Sequence, residues 1–143
     1  VKILVIDDDP AMTDLLRLIL SPIQAAIFTS NSGPEGIEIA ATHHPDIVLL
    51  DLMMPEMDGW QVCAKLRQSS NVPILIMSAI DNPGLIAKAL DAGADDFLVK
   101  PVPSGVLIAH IHNLTRPRSS MQTPQARTPI SIYNEPIKQQ KKP

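Results

Sequence analysis

Apolar residues along this chain fall into two patterns that alternate with each other. Short, nearly unbroken apolar runs occupy Lys2 to Ile6, Ile47 to Leu50, Ile74 to Met77 and Phe97 to Val99. Such runs suit strands buried on both faces of a parallel sheet, where no side of the strand meets water. Ala25 to Thr29 predicts a weaker strand, at an edge. Between the strands the apolar residues recur at helical spacing. They are Met12, Leu15, Leu16 and Ile19; Ile37, Ala40 and Ala41; Val62, Cys63 and Leu66; Leu85, Ile86, Ala89 and Leu90; and Val106, Leu107, Ile111 and Leu114.

Punctuation residues bracket these helical stretches. Asp9-Pro10, Ser32-Gly33-Pro34, Asp58-Gly59 and Asp81-Asn82-Pro83 supply caps or first-turn prolines, while Ser21-Pro22, His43-His44-Pro45 and Gly93 supply stops. Five strands alternating with five helices predict an α/β fold, a parallel sheet with right-handed crossovers and helices on both faces. From Thr115 onward the periodicity stops, and Pro117, Pro124, Pro129, Pro136 and Pro143 punctuate a polar segment. The expected organisation is one domain over residues 1–115 and a Pro-rich tail or interdomain linker, without a fold of its own, over residues 116–143. A short strand around Ile130 to Tyr133 is weakly supported.

Charge sharpens that division. Residues 1–115 hold 14 acidic against 6 basic residues, and residues 116–143 hold 6 basic residues and only Glu135. An acidic body argues against nucleic acid as a direct ligand of the domain, because binding a phosphate backbone needs a basic face. Cys63, the single cysteine, permits no internal disulfide and reads as a small apolar residue on a helix. No apolar run approaches a membrane span and the N-terminus opens directly into a strand, so a cytoplasmic location is expected.

The chemistry lies where the strands run out. Asp7 and Asp8 follow the first strand, Asp51 follows the third, Ser78 ends the fourth and Lys100 follows the fifth. In open α/β sheets ligands bind beyond the carboxyl ends of the strands, so these five residues are expected to share one pocket. Three carboxylates packed together raise one another's pKa unless a cation is shared among them, and hard oxygen donors with room for water suit Mg²⁺. A carboxylate held beside such an ion and an ammonium can act as a nucleophile toward a phosphoryl group, a transfer that asks mainly for positioning and charge neutralisation.

The motifs VIDDDP, DLMMPEMDG, PILIMSA and GADDFLVKP together resemble those of the receiver (CheY-like) domain of two-component response regulators, over roughly Lys2 to Leu114. The resemblance implies a flavodoxin-like sheet of order 2-1-3-4-5 and a signalling switch, with no enzymatic activity beyond its own phosphorylation and dephosphorylation. It implies Asp51 as the phosphorylated aspartate and Asp7, Asp8 and Asp51 as Mg²⁺ ligands, with Met53 lending a backbone carbonyl. Ser78 and Lys100 are implied as phosphoryl contacts, and Ser78 and Phe97 as the switch pair. The implied partners are a sensor histidine kinase or phosphotransfer protein and an output domain or effector acting through the face formed by helix 4, strand 5 and helix 5. A phosphorylation-dependent dimer is a further form of output that the resemblance implies. The Lys100-Pro101 bond is typically cis in such domains. Composition of the tail and the absence of an initiator methionine lead us to expect a receiver cut from a longer regulator.

Two other function classes fit parts of the pattern. A haloacid dehalogenase-type phosphohydrolase also uses a strand-end aspartate but wants a second Asp two residues on, where this chain has Met53. A degenerate receiver serving as an interaction module tends to lose the acids or the lysine, all of which are kept. The last helix departs from the winged-helix branch of the family, carrying Val106, His110 and His112 where charged residues bridge two receivers. His110 and His112 read as solvated surface, His43 and His44 as cations complementing a helix C-terminus, and Met57 and Trp60 as partly exposed packing around the third helix.

Overall fold

A computed structural model describes residues 1–117, and the expected tail and its weak strand lie outside the described residues. Five strands and five helices alternate without exception. They are β1 (Lys2–Ile6), α1 (Pro10–Leu20), β2 (Ala26–Ser30), α2 (Gly33–His43), β3 (Ile47–Leu50), α3 (Gly59–Arg67), β4 (Ile74–Ser78), α4 (Pro83–Asp91), β5 (Asp96–Val99) and α5 (Ser104–Thr115). All strands are parallel, in the order β2-β1-β3-β4-β5.

The unbroken apolar runs are explained by two cores on opposite sides of the sheet. Leu4, Ile6, Val48, Leu50, Ile74 and Ile76 face one core with Val62, Cys63, Leu66, Ile86 and Ala89 of α3 and α4, and Ile37 and Ala40 of α2 pack against it. Their alternate neighbours Ile3, Val5, Ile47, Leu49, Leu75 and Met77 face the other, with Leu16 and Leu20 of α1 and Leu107, Ile111 and Leu114 of α5. Successive strand side chains point to opposite faces, so a central strand clothed on both sides has no polar position. Each such Leu or Ile contributes about 1.5–3 kcal/mol by burial.

Helix starts follow local chemistry. The Asp9 carboxylate accepts the Ala11 N–H at 3.0 Å, and Pro10 occupies the first turn of α1. Ser32 caps α2, and Asn82 caps α4 by accepting from Gly84 and Leu85. At α3 the Asp58 side chain takes the Gln61 N–H while Gln61 returns to the Asp58 N–H, a reciprocal capping box. Four helical faces differ from expectation, with Ala41 of α2 and Leu85 of α4 exposed. Leu15 is 47% exposed, and the buried stripe of α1 is Thr13, Leu16 and Leu20. On α5, Val106 is exposed, and Leu107, Ile111 and Leu114 form the inward face.

The lower end of the sheet is fastened by Arg67. Its guanidinium donates to the carbonyls of Gly93 (3.0 Å), Val72 (2.7 Å) and Ser70 (3.3 Å) and to Asp95 Oδ2 at 2.8 Å. The same Asp95 oxygen accepts the Ile74 N–H, so one ion pair joins α3 to the starts of β4 and β5. Gly93 turns the chain there at φ +121°, a conformation that favours glycine, and a side chain at 93 would also strike Arg67.

Candidate functional site

At the opposite, C-terminal edge of the sheet the ladder continues one bond beyond three of its strands. The Asp7 N–H donates to the Ser30 carbonyl (3.0 Å), the Asp51 N–H to Ile6 (3.0 Å) and the Lys100 N–H to Ser78 (2.8 Å). Each functional side chain is thus hung from a backbone bond to the neighbouring strand. Asp7, Asp8 and Asp51 each offer a carboxylate oxygen within 4.8 Å of the others. Lys100 Nζ lies 3.1 Å from Asp7 Oδ2 and 3.9 Å from Asp51 Oδ1.

The pocket floor is tight at Asp51. A Cβ at Gly59 would collide with the Asp51 carbonyl oxygen and Leu52 Cα, so only glycine lets the first turn of α3 seat against the acid's backbone. Glu56, in the loop between them, has a left-handed φ of 67°. Burial pushes the Asp51 carboxyl up to about 6, against the pull of the Lys100 ammonium and with the repulsion of Asp7 and Asp8 behind it.

That shift has a measurable consequence for stability. In the presence of a chelator, folded Asp51 holds its proton in a pH range where the unfolded carboxyl has lost it. Its contribution to stability is therefore lost as pH rises from about 4 to 6. The loss is roughly 2–3 kcal/mol. Asp51→Asn, which cannot ionise, is expected to gain on the parent by that amount across the window and to hold the gain above it. Denaturant titrations of both proteins between pH 4 and 8 check this, and parallel curves would contradict it.

The other expected site residues are distributed as follows. Ser78 is fully buried, not at a solvent-reached strand end as its position suggests, because it is still paired with Val99 inside the sheet, whereas Asp51 and Lys100 lie one residue beyond their strands. Its Oγ accepts the Ile80 N–H at 3.3 Å. Phe97 is also buried, packed in the core with residues of α3 and α4. Met53 is 60% exposed in the loop after Asp51. The Lys100-Pro101 peptide is cis.

Several contacts had no sequence signal of their own. His110 is not solvated surface: its Nδ1 lies 2.9 Å from Asp96 Oδ2, fastening α5 to β5. Burial raises the Asp96 pKa, and the Phe97 N–H and His110 oppose the rise. His43 stacks on Phe28 with ring centroids 4.5 Å apart. Trp60 donates its indole N–H to the Leu85 carbonyl and lies under Lys88 Nζ, linking α3 to α4. Burial pushes the Cys63 thiol up to about 12, which leaves it no nucleophilic character at neutral pH.

A five-stranded doubly wound sheet of order 2-1-3-4-5 with an acidic cluster and a lysine at its C-terminal edge defines the flavodoxin-like class of α/β domains. Residues 3–112 match the family model of the response regulator receiver domain, and the chain belongs to that family. It is 38% identical over 140 residues to the response regulator MprA of a Mycobacterium species (strain KMS), an alignment covering 96% of this chain and 61% of MprA. It is 40% identical over 115 residues to a probable transcriptional regulator, ycf27, of Porphyridium aerugineum, covering 80% of this chain and 48% of that protein. Among solved structures, the BeF3-activated N-terminal receiver domain of Klebsiella pneumoniae RstA is similar at a TM-score of 0.79 and 31% identity, over 82% of this chain and all of that one. The chain therefore spans about half to three-fifths of the length of these two sequence relatives. No helix among the described residues is long and apolar enough to cross a membrane.

Proposed function

We propose that this receiver domain is a phosphoryl-accepting switch in which Asp51 takes the phosphoryl group. The observation that carries this reading is the convergence of the Asp51 carboxylate with Asp7, Asp8 and the Lys100 ammonium at one sheet edge. The donor set fits Mg²⁺, since all three side chains offer hard oxygens at a partly open edge. Asp7, Asp8 and Asp51, with the Met53 carbonyl, would hold the ion. When bound, it supplies charge neutralisation for the oxygens of the transferring phosphoryl group.

A carboxylate oxygen of Asp51 attacks phosphorus in line with the donor's leaving group, the new O–P bond forms as the donor bond breaks, and the leaving group departs with its electron pair. Lys100 balances the charge that arrives, and the Ser78 hydroxyl donates to a phosphoryl oxygen. Drawing Ser78 toward that oxygen disturbs its bond to Ile80 and the core beside Phe97. The change is carried to the face of α4, β5 and α5, which an output domain or effector reads, a phosphorylation-dependent dimer being one form of that readout. The donor is a sensor histidine kinase or phosphotransfer protein, and the domain acts in the cytoplasm without touching nucleic acid. Residues 116–143 serve as the linker to the output.

Incubation with Mg²⁺ and a small acyl phosphate tests the reading. One phosphoryl group per chain, labile to acid and base, is the expected product, and unmodified protein would overturn it. Ser78→Ala is expected to accept phosphoryl groups yet lose most of the accompanying Trp60 fluorescence change. It should cost about 1 kcal/mol, the worth of the bond to Ile80. Lys100→Ala is expected to lose the response in the same way. A normal response in either variant would remove that residue from the switch.

A further inference from the structure

Asp7 and Asp8 are held in very different ways. Asp7 is fixed at every polar atom. Its N–H is bonded to Ser30, its Oδ1 accepts the Asp9 N–H at 3.0 Å and its Oδ2 accepts from Lys100. Its carbonyl, which lies beyond the last β1–β2 pair of Ile6 with Ser30, accepts Asn31 Nδ2 at 2.7 Å. Asp8, by contrast, is exposed, and its carboxylate makes no hydrogen bond among the described residues, although it is close enough to repel Asp51. Asp8 is aimed by its backbone alone, through the two planar peptides that flank it: the Asp8–Asp9 peptide, whose N–H donates to Asp7 Oδ1, and the Asp7–Asp8 peptide, which sets where the Asp8 Cα stands.

That plane is pinned by Asn31. The side-chain amide stands where a continuing strand would offer a backbone N–H, and its 2.7 Å bond to the Asp7 carbonyl ties down the oxygen of that plane. The amide is oriented in turn from α1. Thr13 Oγ1, 3% exposed and donating to the Pro10 carbonyl, accepts the second Asn31 contact at 3.4 Å. The β2–α2 loop, the cap of α1 and the acidic pair thus form one hydrogen-bonded unit.

We propose that Asn31 is a positioning residue for the divalent cation, acting through the Asp7–Asp8 peptide, with Thr13 orienting its amide. The inference rests on the reading of Asp7, Asp8 and Asp51 as a cation site. Removing the amide frees the Asp8 carboxylate to sample orientations away from the cluster, and each productive binding event must then restore it. Affinity for the ion falls while the chemistry of the assembled site is unchanged.

Calorimetric titration of the full chain with Mg²⁺ alone, in the absence of any phosphodonor, reads this directly. Asn31→Ala is expected to bind Mg²⁺ about 10-fold more weakly, the lower end of the effect seen when supporting partners of metal ligands are removed. Thr13→Val is expected to weaken binding about 2- to 3-fold, and Thr13→Ser, which keeps the hydroxyl, to bind as the parent does. In phosphorylation by an acyl phosphate, the Mg²⁺ concentration for half-maximal rate should rise in Asn31→Ala while the rate at saturating Mg²⁺ stays within about twofold. If Asn31→Ala is folded and binds Mg²⁺ as tightly as the parent, the inference is overturned. A fall in melting temperature in chelator with unchanged affinity would likewise overturn it, as a purely structural role. Should Asn31→Ala fail to fold, the Thr13→Val and Thr13→Ser pair decides, equal affinities refuting the proposal. A parent protein that binds no Mg²⁺ would refute the reading of the cation site itself.

Discussion

Asp51→Asn is expected to take up no phosphoryl group from a small acyl phosphate or from a kinase, under conditions in which the parent is labelled to completion. The amide has no oxygen nucleophile comparable to a carboxylate, and its nearest neighbours make poor substitutes. Asp7 is engaged by the Lys100 ammonium and the Asp9 N–H, and Asp8 stands at the exposed rim. Chelation is expected to stop labelling of the parent, because the phosphoryl oxygens would otherwise be brought against three carboxylates with one ammonium to offset them. Undiminished uptake by Asp51→Asn, or labelling that ignores chelator, would remove Asp51 from the role given to it. The variant keeps its backbone bond to Ile6 and its place against Gly59, so it should remain folded and gain stability at neutral pH.

Arg67→Ala is expected to produce the largest loss of stability, about 3 kcal/mol, at the end of the sheet farthest from the acidic cluster. Truncation deprives three backbone carbonyls of a charged donor and leaves the part-buried Asp95 carboxylate without its guanidinium partner. Breaking a buried ion pair from one side is costly because the remaining charge stays desolvated, and the one-fifth exposure of both side chains discounts that cost. For a domain of this size the melting temperature should drop by about 10 °C or more. Phosphoryl uptake by the folded fraction should be unaltered. A shift of a degree or two would show that the hub is redundant.

The sheet could be read in the sequence because a strand covered on both faces has no polar position, and Ile47 to Leu50 and Ile74 to Met77 state that plainly. The site was legible for a related reason: such strands leave their first polar residue at the C-terminal edge, which brings Asp7, Asp51 and Lys100 together whatever the intervening helices contain. The order of the strands came from the family resemblance. What escaped were relations between elements. The buried stripe of α1 runs through Thr13, which polarity argues against, and leaves Leu15 in water. His110 pairs with Asp96 across 14 residues and two elements, a distance no periodicity spans. Asn31 looks like any polar loop residue until its amide is found against the Asp7 carbonyl. Ser78 and Asp51 occupy similar positions in sequence, and one further rung of pairing separates the complete burial of Ser78 from the 9% exposure that Asp51 keeps.

The two cores on either side of the sheet impose a mechanical asymmetry on the domain. Phe97 and Leu98 are adjacent in β5, yet Phe97 packs with Ile86 and Ala89 toward α4 and Leu98 packs with Leu107 and Ile111 toward α5. In the proposed switch, a displacement that begins at Ser78 and presses on Phe97 would reach the α4 layer first and α5 next, through Leu98. In amide exchange this division has a signature: opening of α4 can be faster by orders of magnitude than opening of α1, with the strands between them still protected. Because Phe97 and Leu98 are neighbours in one strand, a change felt in one layer can reach the other without the sheet being broken.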